Sequence, residues 1–403
     1  MAFNELHFLF LFFPVVVLLH KLIPGMMGKN LLLLVCSLVF FAWGTPEYVF
    51  LMVLIILFNY FSGMQIAAQK AAGHSGKFAL VTAVIANLAL LGFFKYWGFV
   101  LENINALLRT DIPVRQLSMP IGVSFFTFSV LSYLFDVYRD KAPAPRSILD
   151  FSLFVTFFPK LVSGPIVPYA VMEQQIRERK ATKARFGWGC RLFLIGLAKK
   201  VLLSNTIGTM FYAVTALEEV SVATAWLGAV GYSLMLDFDF GGYSDMAIGL
   251  AGMFGFDFDK NFDYPYASTS VSEFWRRWHI SLGSWFRNYV YIPLGGSRVS
   301  TGKIIRNLLV VWFLTGVWHG ASWSFIFWGM YYGVILILEK FVLKNILDVI
   351  PNVIKWFFTL ILVIIGWVFF FSPTLAEGFR WVGCMFGIGA NGFVDGFAKY
   401  YFA

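Results

Sequence analysis

Residues 304–338 read IIRNLLVVWFLTGVWHGASWSFIFWGMYYGVILIL, a stretch of 35 positions with a single Asp, Glu, Lys or Arg. As one α-helix, at about 1.5 Å per residue, this stretch would be about 50 Å long, whereas the hydrocarbon core of a bilayer is about 30 Å thick. The stretch must therefore tilt strongly or break. Gly316 and Gly320 flank the pair Trp318 and His319 at its middle, so a bent or interrupted helix would place His319 deep in the membrane.

Apolar segments of this kind recur along the whole chain. Of the 403 residues, 59% are hydrophobic and 13% are charged, whereas soluble domains carry roughly 25% charged residues. A bilayer accepts such a composition as α-helices, whose backbone polar groups are satisfied internally. We therefore predict an all-α polytopic membrane protein with about ten transmembrane helices. The predicted spans are residues 6–23, 30–43, 48–61, 78–100, 120–138, 188–214, 223–240, 304–338 and 354–371, with a weaker one at 379–388.

The two ends and the middle of the chain complete this outline. Residues 6–23 follow no basic segment, and Pro24-Gly25 is a poor cleavage site, so we expect a retained span and no signal peptide. The proline-containing residues 151–169 are predicted to form a broken or re-entrant segment. The sequence contains no internal repeat and no linker, which favours a single membrane domain over residues 1–403.

The distribution of basic residues predicts the orientation of the chain. Lys21 and Lys29 lie in the first loop, and Lys70 and Lys77 lie in the third, whereas the N-terminus and the loop around Glu47 carry none. Because cytoplasmic loops are enriched in Lys and Arg, the N-terminus is expected outside. We expect the chain to cross the cytoplasmic membrane of the cell, with membrane lipid around it.

Several other classes of protein find little support. The formal net charge is +9, but the basic residues lie between apolar segments, where lipid headgroups account for them, so nucleic-acid binding is not expected. The three cysteines have no metal-ligand spacing. Asp257, Asp259 and Asn261 imitate the start of a calcium loop, but Phe262 replaces the required glycine and Ser268 the closing glutamate. No metal site is predicted.

His319 is the sharpest candidate for chemistry. An ionisable residue inside an apolar segment costs several kcal/mol unless it is paired or solvated, so it indicates function. Small neighbours leave room beside its imidazole, whose ordinary pKa near 6.5 suits a general base. The alternative is a histidine that only makes a hydrogen bond in a helix interface.

Residues 273–287 form a second candidate. Read as one helix, they place Trp275, His279, Leu282 and Phe286 along one face. This mixture of aromatic and guanidinium groups suits a helix at the headgroup boundary, and a plain interfacial anchor is the alternative.

The arginines of the same stretch suggest contacts to a donor molecule. Arg276 and Arg287 fall away from the aromatic face, and Arg277 lies beside them. These three groups could hold the phosphates of a nucleotide-containing donor on the cytoplasmic side. Binding of lipid phosphate by the same side chains explains them equally well.

An acidic segment precedes them. Asp237, Asp239 and Asp245 surround residues 240–244, which contain Gly241-Gly242. We expect this to be a flexible point where irregular backbone lines a cavity.

Four motifs in order resemble the membrane-bound O-acyltransferase family. They are Asp239-Phe-Gly-Gly-Tyr-Ser-Asp245, Phe274-Trp-Arg-Arg-Trp-His-Ile-Ser281, Tyr291-Ile-Pro-Leu-Gly-Gly296 and Val317-Trp-His-Gly320. Within the family, the branch for alginate and peptidoglycan O-acetylation is the most similar, because Pro120-Ile-Gly-Val-Ser-Phe-Phe-Thr-Phe128 and Gly164-Pro-Ile166 also match. The resemblance extends to about Lys340. Gly241 stands where this branch usually has serine, and the chain ends earlier than the resemblance leads us to expect.

The resemblance implies re-entrant or interfacial helices besides the spans, a helical ring around a central tunnel, and an acyltransferase activity. The invariant histidine of the family corresponds to His319, and His279 matches its second polar position. Cytoplasmic acetyl-CoA would be the donor substrate, with no permanently bound cofactor. The acceptor would be an extracytoplasmic protein of the SGNH type, which then acetylates a polysaccharide. The remaining tunnel candidates are Trp318, Trp278, Asp245, Ser244 and Tyr243.

Two other classes of function stay open at this point. A transporter or channel would also use a broken helix with a buried histidine and nearby aspartates, although such proteins often show internal repeats, which this sequence lacks. An inactive scaffold of a secreted acetylation complex would keep the spans but tolerate loss of His319.

Overall fold

The computed structural model describes residues 1–115 and 117–402, and over these residues the chain is helical, without a β-strand. Apolar segments of this length form helices because lipid offers no partners for the backbone. The α-helices are joined by three π-helical segments and two 3₁₀ turns. The π-helical segments are Phe8–Phe12, Lys199–Ser204 and Arg287–Tyr291, and the 3₁₀ turns are Pro46–Tyr48 and Pro265–Ala267. The α-helices of the described residues are α1 (Phe13–Leu22), α2 (Met26–Gly44), α3 (Val49–Ala71), α4 (Lys77–Leu108), α5 (Val123–Tyr138), α6 (Ile148–Thr156), α7 (Phe158–Leu161), α8 (Tyr169–Glu178), α9 (Lys183–Ala198), α10 (Asn205–Thr215), α11 (Val222–Met253), α12 (Val271–Arg277), α13 (Ile280–Phe286), α14 (Thr301–His319), α15 (Trp323–Phe341), α16 (Lys344–Val349), α17 (Asn352–Phe371), α18 (Leu375–Met385) and α19 (Gly396–Phe402).

Five helices of the described residues are long and apolar enough to cross a membrane. Two shorter apolar helices, Phe8–Leu22 and Val123–Tyr138, add to them. The prediction of an all-α polytopic membrane protein is confirmed. The five spans are Met26–Gly44, Pro46–Ala71, Lys77–Leu108, Trp323–Phe341 and Asn352–Phe371.

The chain folds into two compact units. Unit 1 comprises Met1–Leu197 and Tyr243–Lys260, and unit 2 comprises Ala198–Gly242 and the chain from Asn261 onward. Helix α11 contributes residues to both units. The expectation of a single membrane domain stays a prediction.

Unit 1 is held together by buried polar contacts between its helices. Asn59 of α3 and Asn87 of α4 exchange amide hydrogen bonds of 3.1 and 2.7 Å. Ser37 of α2 accepts a hydrogen bond of 3.0 Å from the backbone N–H of Phe158, at the start of α7. Helices α6 and α7 are separated at Phe157, which has an extended ψ, so the predicted break within residues 151–169 is confirmed.

Unit 2 is built around the hairpin of α14 and α15. The length of residues 304–338 left a strong tilt or a break open, and the structure has the break, which divides the stretch into these two helices directly after His319. Gly316 and Gly329 let the helices approach closely, because a Cβ on either glycine would lie within 2.4 Å of a carbonyl oxygen of the other helix. Small residues serve the same purpose in helix pairs of many membrane proteins.

Two predictions about local structure are wrong. Residues 273–287 do not form one helix, because α12 and α13 are separated at Trp278 and His279, and His279 has a φ of 45°. Residues 240–244 are not irregular either, since they lie inside the continuous helix α11. Membrane helices tolerate glycine in their interior, so Gly241-Gly242 does not interrupt this helix.

Candidate active site

His319 is the last residue of α14 and is surrounded by aromatic rings. Its imidazole contacts Trp318 and Trp328, each at a centroid distance of 4.8 Å, and Phe370 of α17 at 5.2 Å. The side chain is partly exposed. The negative end of the α14 dipole stabilises positive charge at this position, as does the face of an aromatic ring. The site is therefore suited to an imidazole that takes up a proton.

The chain breaks after His319 because three small residues follow it. Gly320 lies against the ring of Phe325, where a Cβ would come within 2.2 Å of the ring carbons. Ser322 then caps α15 by accepting a hydrogen bond from the backbone N–H of Phe325, at 3.4 Å. These contacts fix where α14 ends and thereby fix the position of His319.

His279 lies in the turn between α12 and α13 and is 2% exposed. Its left-handed backbone conformation is unusual for a residue with a side chain, and such strain is concentrated at functional sites. Asn261 holds the turn in two ways. Its backbone oxygen accepts from Ile280 N at 2.9 Å, and its Oδ1 accepts from Ser281 N at 3.0 Å.

Asn261 also determines the tautomer of His279. Its Oδ1 lies 3.2 Å from Nδ1 of the imidazole. Because this oxygen is an acceptor, Nδ1 carries the hydrogen and Nε2 presents a lone pair. Nε2 is buried and has no hydrogen-bond partner among the residues that the structure describes. The imidazole is thus ready to accept a hydrogen bond from a ligand.

A cavity of about 190 Å³ adjoins His279. Trp275 and Trp278 of the α12 segment form one wall, and residues of α14 form another. Trp275 packs edge-on against Trp312, with ring centroids 4.8 Å apart. The cavity is lined by Trp275, Trp278, His279, Leu282, Gly283, Phe286, Arg287, Tyr291, Leu308, Val311, Trp312 and Thr315.

The two histidines belong to one aromatic cluster of unit 2. Trp318 is 7% exposed and its ring contacts both imidazoles, that of His279 at 6.2 Å and that of His319 at 4.8 Å. Trp278 is also buried here, 4.9 Å from Trp367. Four predicted site residues, the two histidines and these two tryptophans, are therefore brought together.

The three predicted arginines have different surroundings. Arg277 donates a hydrogen bond to Glu273 at 2.7 Å within the α12 segment. The pKa of Glu273 is lowered, first by the hydrogen bond from the backbone N–H of Thr269 and also by Arg277. Arg276 and Arg287 are exposed, and Arg287 lines the cavity. The prediction that Arg287 points away from the aromatic residues is therefore wrong, because the helix is interrupted.

Glu339, near the end of α15, fixes the start of α12. Its carboxylate accepts hydrogen bonds from the backbone N–H groups of Val271 and Ser272, at 2.6 and 2.8 Å. The hairpin of α14 and α15 also positions His319. The same hairpin therefore holds both His319 and, through the start of α12, the segment that leads to His279.

The acidic motif on α11 is divided between the two compact units, because Asp237 and Asp239 belong to unit 2 and Asp245 belongs to unit 1. Tyr243, Ser244 and Asp245 belong to unit 1, where the ring of Tyr243 stacks on Phe3 at 4.7 Å and Ser244 is buried. The structure does not bring these three residues into the cluster of unit 2. Their predicted role in a tunnel stays a prediction.

Asn261 is a site residue that the sequence did not reveal. It resembled part of a failed calcium loop, and its contact to His279 spans 18 positions across a strained turn.

No group of three metal-ligating side chains occurs in the described parts of the chain. The chemistry suggested by the geometry is proton transfer by imidazole beside an enclosed aromatic cavity.

These features define a multi-pass membrane protein with one histidine at the end of α14, where the apolar stretch breaks, and a second in the turn between α12 and α13. The family model described as MBOAT, membrane-bound O-acyltransferase family, matches residues 38–376. The chain belongs to this family and is an O-acyltransferase.

Individual relatives agree with this assignment. The chain is 40% identical to the probable alginate O-acetylase of Pseudomonas aeruginosa, over 96% of this chain and 75% of the relative. It is 34% identical to the peptidoglycan O-acetyltransferase of Helicobacter pylori, over 96% and 80%. It is also 30% identical to the teichoic acid D-alanyltransferase of Bacillus subtilis, over 70% and 72%.

Proposed function

We propose that this protein moves an acetyl group from acetyl-CoA in the cytoplasm to a hydroxyl group on the other side of the cytoplasmic membrane, for O-acetylation of a cell-surface polysaccharide. The proposal rests on one observation: the rings of both histidines contact Trp318, and a cavity adjoins His279. Relatives named as alginate and peptidoglycan O-acetylating enzymes support acetyl as the transferred group.

His319 is the general base in this proposal. The hydroxyl oxygen of the acceptor attacks the thioester carbonyl carbon while its proton passes to the imidazole. The new C–O bond forms, the C–S bond breaks, and the CoA thiolate leaves and takes the proton back. The α14 dipole and the surrounding ring faces stabilise the imidazolium during this step.

His279 positions the donor. The Nε2 lone pair accepts a hydrogen bond from an amide N–H of the pantetheine arm, which occupies the aromatic cavity. Arg287, at the cavity, and the exposed Arg276 contact the phosphates of the donor. Arg277 pairs with Glu273 and so supports α12, while its contact to the donor phosphates stays a prediction.

The acceptor is an extracytoplasmic protein of the SGNH type, which passes the acetyl group on to the polysaccharide. Support comes from the resemblance to the alginate and peptidoglycan branch and from the orientation that the basic residues predict. A hydroxyl on the polysaccharide itself is the alternative acceptor for the same chemistry.

The test measures transfer of labelled acetyl from acetyl-CoA in proteoliposomes that contain a candidate acceptor. His319→Ala is expected to lower kcat by a factor of about 10²–10⁴, the typical contribution of a general base. His279→Gln removes the Nε2 acceptor and is expected to raise KM for acetyl-CoA with a smaller change in kcat. Both variants are compared at matched thermal stability.

Other outcomes would contradict these roles. Full transfer by His319→Ala would exclude it as the base, and an unchanged KM in His279→Gln would exclude the donor contact. Wild-type protein that transfers acetyl to none of several acceptors would contradict the proposed acetyl donor or the proposed class of acceptor.

A further inference from the structure

A second pocket lies in unit 1 and contains none of the residues of the proposed acetyl-transfer site. It has a volume of about 730 Å³ and is open to the surroundings. The loop between α8 and α9 forms its centre, and residues after α11 close one side. This loop belongs to the sequence Arg177-Glu-Arg-Lys-Ala-Thr-Lys-Ala-Arg185, which has five basic residues in nine positions.

Arg179 is the central charged group of this pocket and is 7% exposed. Its Nε donates to the carbonyl oxygen of Phe254 at 3.1 Å, and its Nη1 donates to that of Ile176 at 2.9 Å. The guanidinium also lies 4.3 Å from the ring centre of Phe256. These contacts hold the group in one orientation without neutralising its charge.

The remaining nitrogen of Arg179 has no partner. Nη2 is buried and makes no hydrogen bond within the described residues. Buried donors of charged groups almost always have an acceptor, and leaving one without costs more than for a neutral group. Burial lowers the pKa of Arg179 to about 10, so the guanidinium is still charged at neutral pH. Arg179, which lines the pocket, is thus a fixed, charged group with one unused donor, and this favours an anionic ligand.

Two other basic residues line the same pocket. Lys180 is exposed, and Arg185 donates to the carboxylate of Asp257 at 2.7 Å. Glu178 also lines the pocket and accepts from Gln174 at 3.3 Å. With Arg185 and Asp257 paired, the lining side chains Arg179 and Lys180 face one lining carboxylate, so the pocket lining has a net positive charge. Asp150, which does not line the pocket, also acts on Arg179.

The start of α9 adds a further anion-attracting feature. Thr182 caps this helix by accepting a hydrogen bond from Arg185 N at 3.2 Å, and the first N–H groups of a helix favour negative charge. Residues 192–198 of the helix are apolar, and Trp188 between them and the pocket is 47% exposed. Tryptophan and basic residues in this order mark the membrane–water boundary.

We propose that this pocket binds a phosphate ester at the membrane–water boundary, with Arg179 and Lys180 as its charged contacts. The planar guanidinium offers Nη2 to one phosphate oxygen, and the flexible ammonium of Lys180 contacts another. The phosphate comes either from an anionic phospholipid or from a soluble nucleotide. The source does not change the contacts.

Binding is measured on the full-length protein with one probe for each source. Native mass spectrometry compares retained phosphatidylglycerol with phosphatidylcholine, which has no net charge, and calorimetry in detergent measures 3′,5′-ADP. Lys180→Ala is expected to weaken binding of at least one probe about fivefold or more, and Arg179→Gln about tenfold or more. Lys183→Ala is the matched control, because Lys183, the first residue of α9, is an exposed lysine that does not line the pocket.

The controls make the outcome decisive. Loss in Lys180→Ala with near wild-type binding in Lys183→Ala supports the site, and the probe that responds identifies the source. If neither probe binds, or if Lys180→Ala and Lys183→Ala weaken binding equally, the proposal is wrong. If Arg179→Gln fails to fold, the two lysine variants decide alone. A probe that responds only to Arg287→Gln reports the donor site and also contradicts the proposal.

Discussion

At the scale of single residues, the two histidines are held in different ways: His319 ends α14, and His279 lies in a left-handed turn against Asn261. His319 could be singled out from sequence because an ionisable residue in an apolar segment is costly. His279 could be singled out only within its motif. Its buried Nε2 and its bond to Asn261 depend on a left-handed turn, for which the sequence has no glycine signal. The contact partner was therefore unpredictable.

Asp395 gives a prediction at this scale. Its carboxylate accepts hydrogen bonds from Thr224 Oγ1 at 2.6 Å, Ser221 N at 3.1 Å and Ala398 N at 2.8 Å, and so ties the segment before α19 to the start of α11. Burial raises its pKa, but these hydrogen bonds outweigh burial and lower the pKa to about 2. The ionised form is thus favoured in the folded state. Asp395 stabilises the fold above its ordinary pKa of 3.8, and this contribution is lost as the pH falls towards 2.

The test compares thermal unfolding of the wild type and Asp395→Asn in detergent between pH 7 and pH 3. We expect the wild type to be more stable at pH 7, by about 1 kcal/mol as for a typical cap. The difference should shrink below about pH 4, because a protonated aspartate resembles asparagine. A difference that stays constant over this range would show that the charge of Asp395 contributes nothing.

At the scale of helices, physical length was a better guide than periodicity. The break inside residues 304–338 followed from the length of a helix against the thickness of a bilayer. The periodicity of residues 273–287 predicted one helix, yet the chain turns at His279. Hydrophobic periodicity shows only which residues are apolar. Because the apolar residues of both short helices line the same cavity, the turn between the helices leaves the periodicity unchanged, and the sequence pattern cannot reveal it. The glycine pair Gly241-Gly242 led to a wrong prediction of irregular backbone, because membrane helices accept glycine in their interior.

The packing of α14 on α15 gives the prediction at this scale. A Cβ on Gly329 would lie 2.3 Å from the carbonyl oxygen of Trp312. Backbone atoms inside a helix cannot move away at low cost, so Gly329→Ala should destabilise the protein by about 1–3 kcal/mol. Because the same hairpin positions His319, acetyl transfer should fall as well.

Gly302→Ala is the control for this change. Gly302 lies in the first turn of α14, and a Cβ there meets nothing within 4 Å. Alanine is the better helix former by about 1 kcal/mol, so this variant should be neutral or slightly more stable. Thermal unfolding of both variants measures the effect. Equal stability of Gly329→Ala and the wild type would contradict the close packing.

At the scale of the whole molecule, composition and basic loops predicted a multi-pass protein, and the five long apolar helices confirm that class. The positions of the helices alone do not reveal which membrane the chain crosses or in which direction. A helix crosses a membrane equally well in either direction. The charge difference between loops carries that information. Lys70, in the last turn of α3, and Lys77, the first residue of α4, flank the loop between these helices, which places the loop in the cytoplasm in our prediction.

Cysteine labelling in intact cells tests this orientation. The native residues Cys36, Cys190 and Cys384 are first replaced by serine or alanine. His74→Cys then reports the loop between α3 and α4, and Asp111→Cys reports the chain after α4; both positions are exposed. Because α4 is long and apolar enough to span the membrane between them, we expect the two positions on opposite sides.

A membrane-impermeant maleimide should label Asp111→Cys in intact cells and His74→Cys only after permeabilisation. This result would place the N-terminus outside, together with the side on which the acceptor hydroxyl is proposed to enter. The reverse pattern would invert the predicted orientation. Labelling of both positions in intact cells would show that α4 does not cross the membrane.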